Sequence, residues 1–592
     1  MALRLLPSVL ITSFTTKHTK TTKLDSSSVL RTPRIVAVMD NGSDQKVISR
    51  RSGNYHPSIW QYDYIQSLKS NYQEESFNEQ AMTLVGEVRM MLEKATEPLE
   101  KLELIDTLQR LGLSYHFQKE TKRILESIRS EISWKKDNLY ATALEFRLLR
   151  QHGYNVTQEA FSGFQDEIGN FNASLCEDCK GLLSFYEASY LSVEGEDILD
   201  TAKDFATEQL HRHLQQNKIE EHLRMLVEHA LELPLQWRVS RLEARWFIDL
   251  YQKTEKRDPM LLELAKLDFN IVQAVHQDDL RYASSWWNDT GLGEKLSFAR
   301  DRLMENFLWT VGVIFDPQFG NIRRTSTKVN ALITTIDDVY DVYGTLDELE
   351  IFTQAVERWD INAMELLPEY MKICFLALFN SINEMAFGIL KENGVHTIPF
   401  LKKAWADICK SYLLEAKWFH SGYIPTFKEY IDNAWVSISA PVILSHACSL
   451  TFDSTTKDCL EHWKEHYNII YCSSLILRLA DDLGTSVDEL KRGDVPKSIQ
   501  CYMYETGSSE AEAHEHVRKL IEATWKKMNG EYLSMAHSTS SPTFVQIALN
   551  LARMAQCMYQ YGDGHGVSDK ETRHRVLLLL VSSIPVENSI LA

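Results

Sequence analysis

The sequence predicts an all-α protein built from two helical domains. Its 592 residues exceed what one ordinary hydrophobic core organises, which indicates two or more domains. Only 24 glycines and 14 prolines interrupt the chain, and this scarcity favours long helices over a turn-rich β architecture. Apolar side chains recur with helical spacing through both halves, as at Leu84, Val85, Val88 and Leu92.

The predicted division gives an N-terminal segment, residues 1–45, and helical domains of residues 46–270 and 271–592. Up to Val38 the chain carries many Ser and Thr residues, six Lys or Arg residues and one acid, Asp25. A basic, hydroxylated and acid-poor N-terminus is typical of an organelle transit peptide, and a disordered tail without an address is the alternative. Because the segment has no sustained apolar stretch, it does not fit a secretory signal.

Two arginines, Arg50 and Arg51, open the next segment, and Trp60 follows after eight residues. Adjacent cations and an anchoring Trp on an extended segment are predicted to tie it across a carboxylate-rich surface. A basic cleavage remnant followed by an unrelated aromatic residue is the alternative.

The overall composition narrows the classes of partner. A net charge of −19 argues against nucleic acid, because phosphate binding needs a basic face. The nine cysteines are odd in number and scattered, which fits reduced thiols, and Cys176 and Cys179 form a lone C-x-x-C without a second pair. No apolar run approaches the roughly 20 residues of a membrane-spanning helix, so no membrane partner is expected. The domain of residues 46–270 offers no catalytic constellation and is predicted to be a scaffold.

The first acidic cluster lies at Asp337, Asp338 and Asp341, directly after the apolar run Ala331 to Ile333. On a helix Asp337 and Asp341 lie on one face, while Asp338 is turned about 100° away. Two carboxylates one turn apart can bind one hard cation such as Mg²⁺ or Mn²⁺. A solvated acidic helix end is the alternative, because Asp347 and further acids follow.

The second cluster follows the same logic further along the chain. Asp481, Thr485 and Glu489 are spaced i, i+4 and i+8, so on a helix they form one stripe of oxygen ligands about 12 Å long. Arg478 lies one turn earlier and Lys497 shortly after. If the two clusters face each other, the geometry suits a diphosphate held by several metal ions and contacted by cations.

Cations and aromatic residues complete the predicted site. Arg300 and Arg302 precede the first cluster by 37 and 35 residues, counted to Asp337, and by themselves they read as salt-bridge partners. Aromatic side chains in this half are available to line an apolar pocket, where their faces stabilise cations, although most are expected to be ordinary core. They are Trp286, Trp287, Phe307, Trp309, Phe315, Trp435 and Tyr561.

Taken together, these motifs resemble a plant class I terpene synthase of the angiosperm monoterpene synthase type. The similarity runs from Arg50 to the end of the chain and rests on four motifs: Asp337-Asp338-x-x-Asp341, Asp481/Thr485/Glu489, Arg300-x-Arg302 and Arg50-Arg51-x8-Trp60. The resemblance implies an N-terminal α-barrel without an active site and a C-terminal helical bundle that encloses the cavity. It also implies a plastid location in the stroma, and a monomer or weak homodimer.

The resemblance assigns roles residue by residue. Three Mg²⁺ or Mn²⁺ ions would be bound by Asp337, Asp341, Asp481, Thr485 and Glu489, with Asp338 in support. Arg300, Arg478 and Lys497 would contact the substrate diphosphate. Arg50, Arg51 and Trp60 would cap the closed cavity, a segment associated in the family with isomerisation of geranyl diphosphate to a linalyl intermediate. Trp309 would stabilise the carbocation, Asn330 would line the pocket, and Tyr561 or His565 would remove the final proton.

Several alternatives remain at this stage. A sesquiterpene synthase acting on farnesyl diphosphate is disfavoured by the transit segment and the tandem arginines. An isoprene synthase is disfavoured because relatives of that kind carry a bulky aromatic residue where this chain has Asn330. Prenyl chain elongation would need a second Asp-Asp-x-x-Asp motif, and none occurs after Asp341. A helical scaffold with purely structural metal sites is the non-enzymatic alternative.

Overall fold

The computed structural model describes residues 50–130, 137–451, 459–492, 495–536, 541–566 and 570–586, and within these ranges the side chains of residues 487–492 are not included. The predicted transit segment lies outside the described residues. The described residues form helices joined by turns and loops, no β-strand occurs among them, and the β-bridge between Gln165 and Phe171 is isolated. The all-α prediction is confirmed.

The N-terminal part consists of short and medium helices, with 3₁₀ turns between several of them. Its helices are α1 (Tyr62–Ser67), α2 (Glu75–Lys94), α3 (Pro98–Arg110), α4 (Gln118–Arg129), α5 (Leu139–Gln151), α6 (Cys179–Ser189), α7 (Asp197–Gln216), α8 (Glu221–Glu232) and α9 (Ser240–Gln252).

One long helix, α10 (Pro259–Thr290), joins the two parts. It begins where the Asp258 carboxylate accepts bonds from two backbone N–H groups and ends at Gly291, whose φ of 65° lies in the left-handed region. It packs against α2 on one side and against the C-terminal helices on the other. The predicted boundary at residue 270 therefore falls inside a continuous helix that both parts share.

The C-terminal part is a bundle of longer helices. They are α11 (Leu292–Lys295), α12 (Leu303–Val313), α13 (Gly320–Asp338), α14 (Leu346–Arg358), α15 (Glu369–Asn393), α16 (Ile398–Ser421), α17 (Phe427–Ser437), α18 (Ala440–Leu450), α19 (Cys459–Glu465), α20 (Tyr467–Arg492), α21 (Ser498–Thr506), α22 (Glu510–Met535), α23 (Pro542–Met558) and α24 (Lys570–Val576). A π-helical turn, Val339–Tyr343, continues α13, and a second one, Leu577–Val581, continues α24.

Three groups of buried apolar side chains hold these helices together. The largest runs through both parts, from Val88 and Leu148 to Phe307, Ile476 and Trp525. A second lies within the C-terminal bundle, and a third lies among α5, α6 and α7. Since the largest core is common to both parts, they do not fold around separate centres.

Helix α15 corrects the expectation that no segment is long and apolar enough to span a membrane. An 18-residue window within its 25 residues reaches a mean hydropathy of 1.6, which by length and composition alone suffices to cross a membrane. Uninterrupted apolar runs do not reveal this helix, because polar residues are scattered along its sequence. Its side chains Met371, Phe375, Leu378 and Ile382 are fully buried in the second core, so α15 is accounted for as a core helix.

Candidate active site

The first acidic cluster lies where α13 gives way to the π-helical turn. Within α13 the hydroxyls of Thr334 and Thr335 donate to backbone carbonyls four residues earlier, at 2.9 Å each. Asp337 lies in the last turn of α13, whereas Asp341 lies in the π-helical turn and is exposed. Single π-helical turns inside α-helices are frequent at functional sites because they re-aim side chains.

Arg300 contacts two of the three aspartates, Asp337 and Asp338, in different ways. Its Nη2 donates to Asp337 Oδ2 at 2.5 Å, and its Nε and backbone N donate to the two oxygens of Asp338 at 2.9 and 2.6 Å. Asp338 is fully buried, and burial raises its pKa while Arg300 opposes the rise. Both Asp338 oxygens are thus engaged by Arg300, and its predicted supporting role in metal binding stays a prediction.

The segment that begins at Arg50 lies across this cluster. Arg50 makes a two-pronged salt bridge to Glu348, at 2.8 Å for each nitrogen, and its guanidinium stacks on Tyr343. Arg51 donates to the backbone carbonyl of Asp341 at 2.9 Å and stacks over Phe419. The two arginines hold the segment against the π-helical turn and Glu348.

The same segment is held again between Arg51 and Trp60. The Tyr55 ring lies 5.0 Å from the Arg300 guanidinium. Arg302, 2 % exposed, donates at 3.1 Å both to the carbonyl of His56 and to that of Gly566. Arg302 therefore links the N-terminal segment to the loop that follows α23.

The second cluster lies on α20, which carries its own arginine. Arg478 is paired with Asp481 and with Asp482, the latter at 2.8 Å. Asp482 is fully buried and also accepts the Tyr430 hydroxyl at 2.9 Å and the backbone N–H of Ser498 at 3.1 Å. Asp482 thus fixes Arg478 in place, as Asp338 fixes Arg300 in the first cluster.

The remaining predicted members of this cluster lie nearby. Thr485 is buried one turn after Asp481 and donates to its carbonyl at 2.9 Å. The Lys497 ammonium lies 3.9 Å from a carboxylate oxygen of Glu415 on α16. Glu489 lies on α20 in the region whose side chains are outside the described ones, so its predicted role stays a prediction.

Three ring side chains, Trp309, Tyr559 and His565, lie between the two clusters; we call them the aromatic floor. The Trp309 ring centroid lies 6.1 Å from that of Tyr559 and 6.2 Å from that of His565. The Tyr559 hydroxyl is hydrogen-bonded to Asp481, and His565 is close enough to Arg300 for that charge to lower its pKa. A continuous row of side chains therefore runs from the first cluster to the second.

Helix α16 carries two more side chains near the clusters, Tyr412 and Glu415. Burial raises the pKa of Tyr412, and the nearby charges of Asp337, Asp341 and Glu415 raise it further. Glu415 is also the carboxylate beside Lys497. Helix α16 therefore has side chains near both acidic clusters.

An apolar cavity adjoins the Trp309 side of this site. Trp309 and Asn330 line it together with aliphatic side chains, among them Ile322, Ile443 and Leu551. The indole Nε1 of Trp309 and the amide Oδ1 of Asn330 are buried and have no hydrogen-bond partner among the described residues. The predicted pocket residues therefore have two unpaired polar atoms beside a mostly apolar cavity, which Thr310 and Ser326 also line.

His565 is partly buried in a strongly cationic setting. Burial, followed by the charges of Arg300 and Arg302, lowers its pKa to about 3. Its Nδ1 has no hydrogen-bond partner among the described residues. At neutral pH this imidazole is therefore uncharged and retains a lone pair.

Tyr561 does not belong to this group, which corrects the prediction for its placement. Its side chain is 56 % exposed and donates to Glu232 at the end of α8. Tyr559, two residues earlier, occupies the inward position instead. Sequence reasoning missed Tyr559, and it also missed Tyr412 and Tyr430, because isolated tyrosines carry no motif.

The donor chemistry of the two clusters fits magnesium. Every predicted ligand offers oxygen, and no Cys or His is among them, which suits a hard cation. Arg300 and Arg478 each contact an aspartate of their cluster, so cations that could bind a phosphate lie beside the oxygens that could bind metal.

Comparison with protein families identifies both halves of the chain. Residues 59–231 match the family model "Terpene synthase, N-terminal domain", and residues 288–527 match "Terpene synthase family, metal binding domain". The chain belongs to the terpene synthase family. It is therefore an enzyme of the lyase class that uses divalent metal ions.

Characterised relatives place this terpene synthase more closely. It is 61 % identical over 567 residues to a (-)-alpha-terpineol synthase of Vitis vinifera, covering 95 % of this chain and 96 % of the relative. It is also 61 % identical over 543 residues to a chloroplastic myrcene synthase of Quercus ilex, covering 91 % and 90 %. The prediction of a monoterpene synthase is confirmed, and the relatives' chloroplastic names support a plastid location.

Solved structures of other terpene synthases have the same fold. A limonene synthase bound to 2-fluorolinalyl diphosphate matches with a TM-score of 0.88 and 46 % identity, over 90 % of this chain and all of the other. An isoprene synthase from grey poplar, in complex with three Mg²⁺ ions and dimethylallyl-S-thiolodiphosphate, matches with a TM-score of 0.82 and 48 % identity, over 89 % and 99 %. The substrate of this terpene synthase is accordingly a small prenyl diphosphate.

Proposed function

We propose that this terpene synthase converts geranyl diphosphate into a C10 olefin or alcohol and releases diphosphate. The proposal rests on one arrangement: two oxygen-rich clusters, each with its own arginine, are joined through Trp309, Tyr559 and His565. A polar end for a diphosphate and an aromatic floor for an isoprenoid tail lie side by side.

Charge separation at the allylic carbon is the difficult step. Divalent ions bound by Asp337, Asp341, Asp481, Thr485 and Glu489 would supply the positive charge that neutralises the departing diphosphate; three Mg²⁺ ions are the proposed complement, with Mn²⁺ as a substitute. Arg300, Arg478 and Lys497 lie beside these ligands and would donate to the diphosphate oxygens. Because their positions are fixed by buried partners, little reorganisation is needed as the charge develops.

The organic cation that remains needs protection from water. The segment that carries Arg50 and Arg51 lies over the π-helical turn, and Arg302 joins it to the loop near Gly566. Trp309 presents its ring toward the same region, where an aromatic face stabilises a cation. Exclusion of water then lets the carbocation rearrange before it is quenched.

The final proton would be taken by His565. Its imidazole is neutral at physiological pH, and its Nδ1 is buried without a hydrogen-bond partner among the described residues. A carbocation is so strong an acid that even a base with a pKa of about 3 accepts its proton. The tyrosine hydroxyls nearby have raised pKa values and are poorer candidates.

The proposal includes the surroundings of the enzyme. The segment before Arg50 would direct it to the plastid stroma and be removed between about Val38 and Arg50. Each polypeptide contains both acidic clusters, so a monomer suffices for catalysis, and a weak homodimer is compatible with it.

The test is product analysis with purified protein that begins at Arg50. Geranyl, neryl and farnesyl diphosphates are supplied separately with Mg²⁺, and volatile products are identified by gas chromatography and mass spectrometry. We expect C10 products from geranyl diphosphate at the highest kcat/KM. A higher kcat/KM for farnesyl diphosphate would overturn the C10 assignment in favour of a sesquiterpene synthase.

Matched variants test the site itself. The double variant Asp337→Ala/Asp341→Ala is expected to lose product formation, whereas Asp347→Ala, an exposed acid at the start of α14, should keep it. Retained turnover in the double variant would show that the first cluster is not the metal site.

A further inference from the structure

A cluster of imidazoles and a carboxylate lies where α19 meets α20, away from the active site. His462 and Glu465 belong to α19, and His466 occupies the joint between the two helices. One ligand atom from each of the three residues lies within 4.8 Å of the others. Spacings of i, i+3 and i+4 place all three side chains on one helical face.

His466 is held in the form that binds metal. Its Nδ1 lies 2.8 Å from the carbonyl oxygen of His462, so Nδ1 carries the proton and donates it there. The lone pair is thereby fixed on Nε2. A backbone carbonyl that accepts the second ring N–H is the usual partner of a metal-bound histidine, because it sets both the tautomer and the ring orientation.

The Nε2 atom of His466 has no hydrogen-bond partner among the described residues. The residue is fully buried, so water does not satisfy this atom from the surface. A buried polar atom of this kind calls for an explanation, and an ion is one. The ring is fixed further by Phe544, whose centroid lies 5.2 Å away at an angle of 90°.

Two of the three side chains are buried and the third lies at the surface. The ring centroids of His462 and His466 are 4.2 Å apart, with His462 also buried against Phe544. Glu465 is exposed and provides the solvent side of the cluster. An ion would therefore reach the imidazoles past the carboxylate, with water completing its coordination.

We propose that His462, Glu465 and His466 bind one late first-row divalent ion of the Zn²⁺, Co²⁺ or Ni²⁺ type. Two imidazole nitrogens and one carboxylate oxygen suit these ions, whereas Mg²⁺ prefers all-oxygen sites. The site is separate from the catalytic one, because Asp481 lies 15 residues further along α20, or about 22 Å. Bound metal would fasten α19 to the start of the helix that carries the second acidic cluster.

The experiment is a Co²⁺ titration of the metal-stripped protein without Mg²⁺, followed by visible absorption. The wild-type protein should bind one equivalent with the absorption of a nitrogen-ligated site. His466→Gln and His462→Gln should each weaken this binding at least about tenfold, the loss seen even for partners behind metal ligands. His420→Gln, an exposed histidine in α16, is the matched control and should bind as the wild type does. An unchanged titration in both cluster variants would overturn the proposal.

A second measurement does not depend on the variants folding. Zinc X-ray absorption of the wild-type protein with one equivalent of Zn²⁺ should reveal two imidazole ligands. An all-oxygen shell would place the ion in the catalytic clusters and reject this site. Zn²⁺ should also raise the melting temperature of the wild type but not of His466→Gln, and an equal rise in both would likewise count against it.

Discussion

Neighbouring aspartates in the first cluster have different surroundings and therefore different tasks. Asp338 is buried with both oxygens on Arg300, whereas the Asp337 side chain is 26 % exposed and shares one oxygen with the same arginine. The second cluster repeats this division, with Asp482 buried behind Asp481. In each pair the inner carboxylate positions an arginine and the outer one is available to the site.

This division predicts opposite effects of two adjacent substitutions. Asp337→Ala should lower turnover at least about 100-fold with little loss of stability, because it removes a ligand from the edge of the site. Asp338→Ala should cost about 3 kcal/mol of unfolding free energy, because it leaves Arg300 buried without its main counter-ion. Thermal melting and steady-state kinetics of both variants measure the contrast. Equal melting temperatures for the two would contradict it.

Buried histidines make stability depend on pH. Burial lowers the pKa of His446 to about 3 and that of His152 to about 4, while the unfolded value is about 6.5. The unfolded chain therefore binds more protons below pH 6.5, and the folded state loses stability as the pH falls from there towards 4. Each such group contributes up to about 1.4 kcal/mol per pH unit.

His446→Gln should make this loss shallower. The Trp405 indole donates to His446 Nε2 at 3.0 Å, and a glutamine oxygen can accept the same bond without taking up a proton. Urea unfolding at several pH values between 7 and 4.5 compares the variant with the wild type and with His420→Gln. The prediction fails if the variant and the wild type lose stability in parallel.

At the scale of elements, residues 50–60, which we call the strap, connect two parts of the bundle. Arg50 and Arg51 bind the π-helical turn and α14, and Arg302 binds the carbonyl of His56. The Trp60 indole is hydrogen-bonded to the buried Glu305 on α12. The strap is therefore fixed at both ends and in the middle.

Loss of Arg50 should affect one stage of the proposed reaction more than the other. Isomerisation of geranyl diphosphate requires the substrate to be held while its tail refolds, whereas linalyl diphosphate enters after that stage. Arg50→Ala removes charged hydrogen bonds worth about 1.5–3 kcal/mol, so kcat/KM for geranyl diphosphate should fall about tenfold or more. Linalyl diphosphate should lose less. An equal loss of kcat/KM on both substrates would contradict a role of Arg50 in isomerisation and would leave the strap only the role of covering the site.

At the scale of the whole molecule, α10 makes the two parts interdependent. Asn270 exchanges two hydrogen bonds with the backbone of Ile584, at 2.8 and 2.7 Å, and Gln277 donates to the carbonyl of Leu580 at 2.9 Å. The C-terminal end of the chain is thus anchored on the helix that also packs against α2. Lys526 and Asp200 add an ion pair between the parts.

A fragment of residues 288–592 should therefore not fold cooperatively, although it contains every predicted metal ligand. It lacks α10 and exposes the larger core that both parts share. Circular dichroism melting and size-exclusion chromatography compare it with residues 50–592, which we expect to melt in a sharp transition. A soluble, active fragment would show that the C-terminal part folds without the shared core.

The local part of this organisation could be predicted from the sequence. The i, i+4 spacing of Asp481 with Thr485 follows from α-helical geometry alone, and helical periodicity shows itself over many turns. The same spacing of Asp337 with Asp341 does not reveal the π-helical turn in which Asp341 lies. The predicted boundary at residue 270 lies inside α10, because periodicity does not tell where a continuous helix changes partners. Tyr561 failed for a related reason, since residues 559 and 561 are equally aromatic and only packing decides which one faces inward.

The sequence by itself determined the helical class, the oxygen-ligand motifs and the family, because these depend on residue type and on spacing within one element. Only the tertiary structure decided which aspartate is buried against Arg300, that Tyr559 and Tyr412 lie near the clusters, and that Arg302 joins the strap to the loop near Gly566. These contacts join residues tens to hundreds of positions apart, and such pairings are set by the packing of whole helices, which no local pattern encodes.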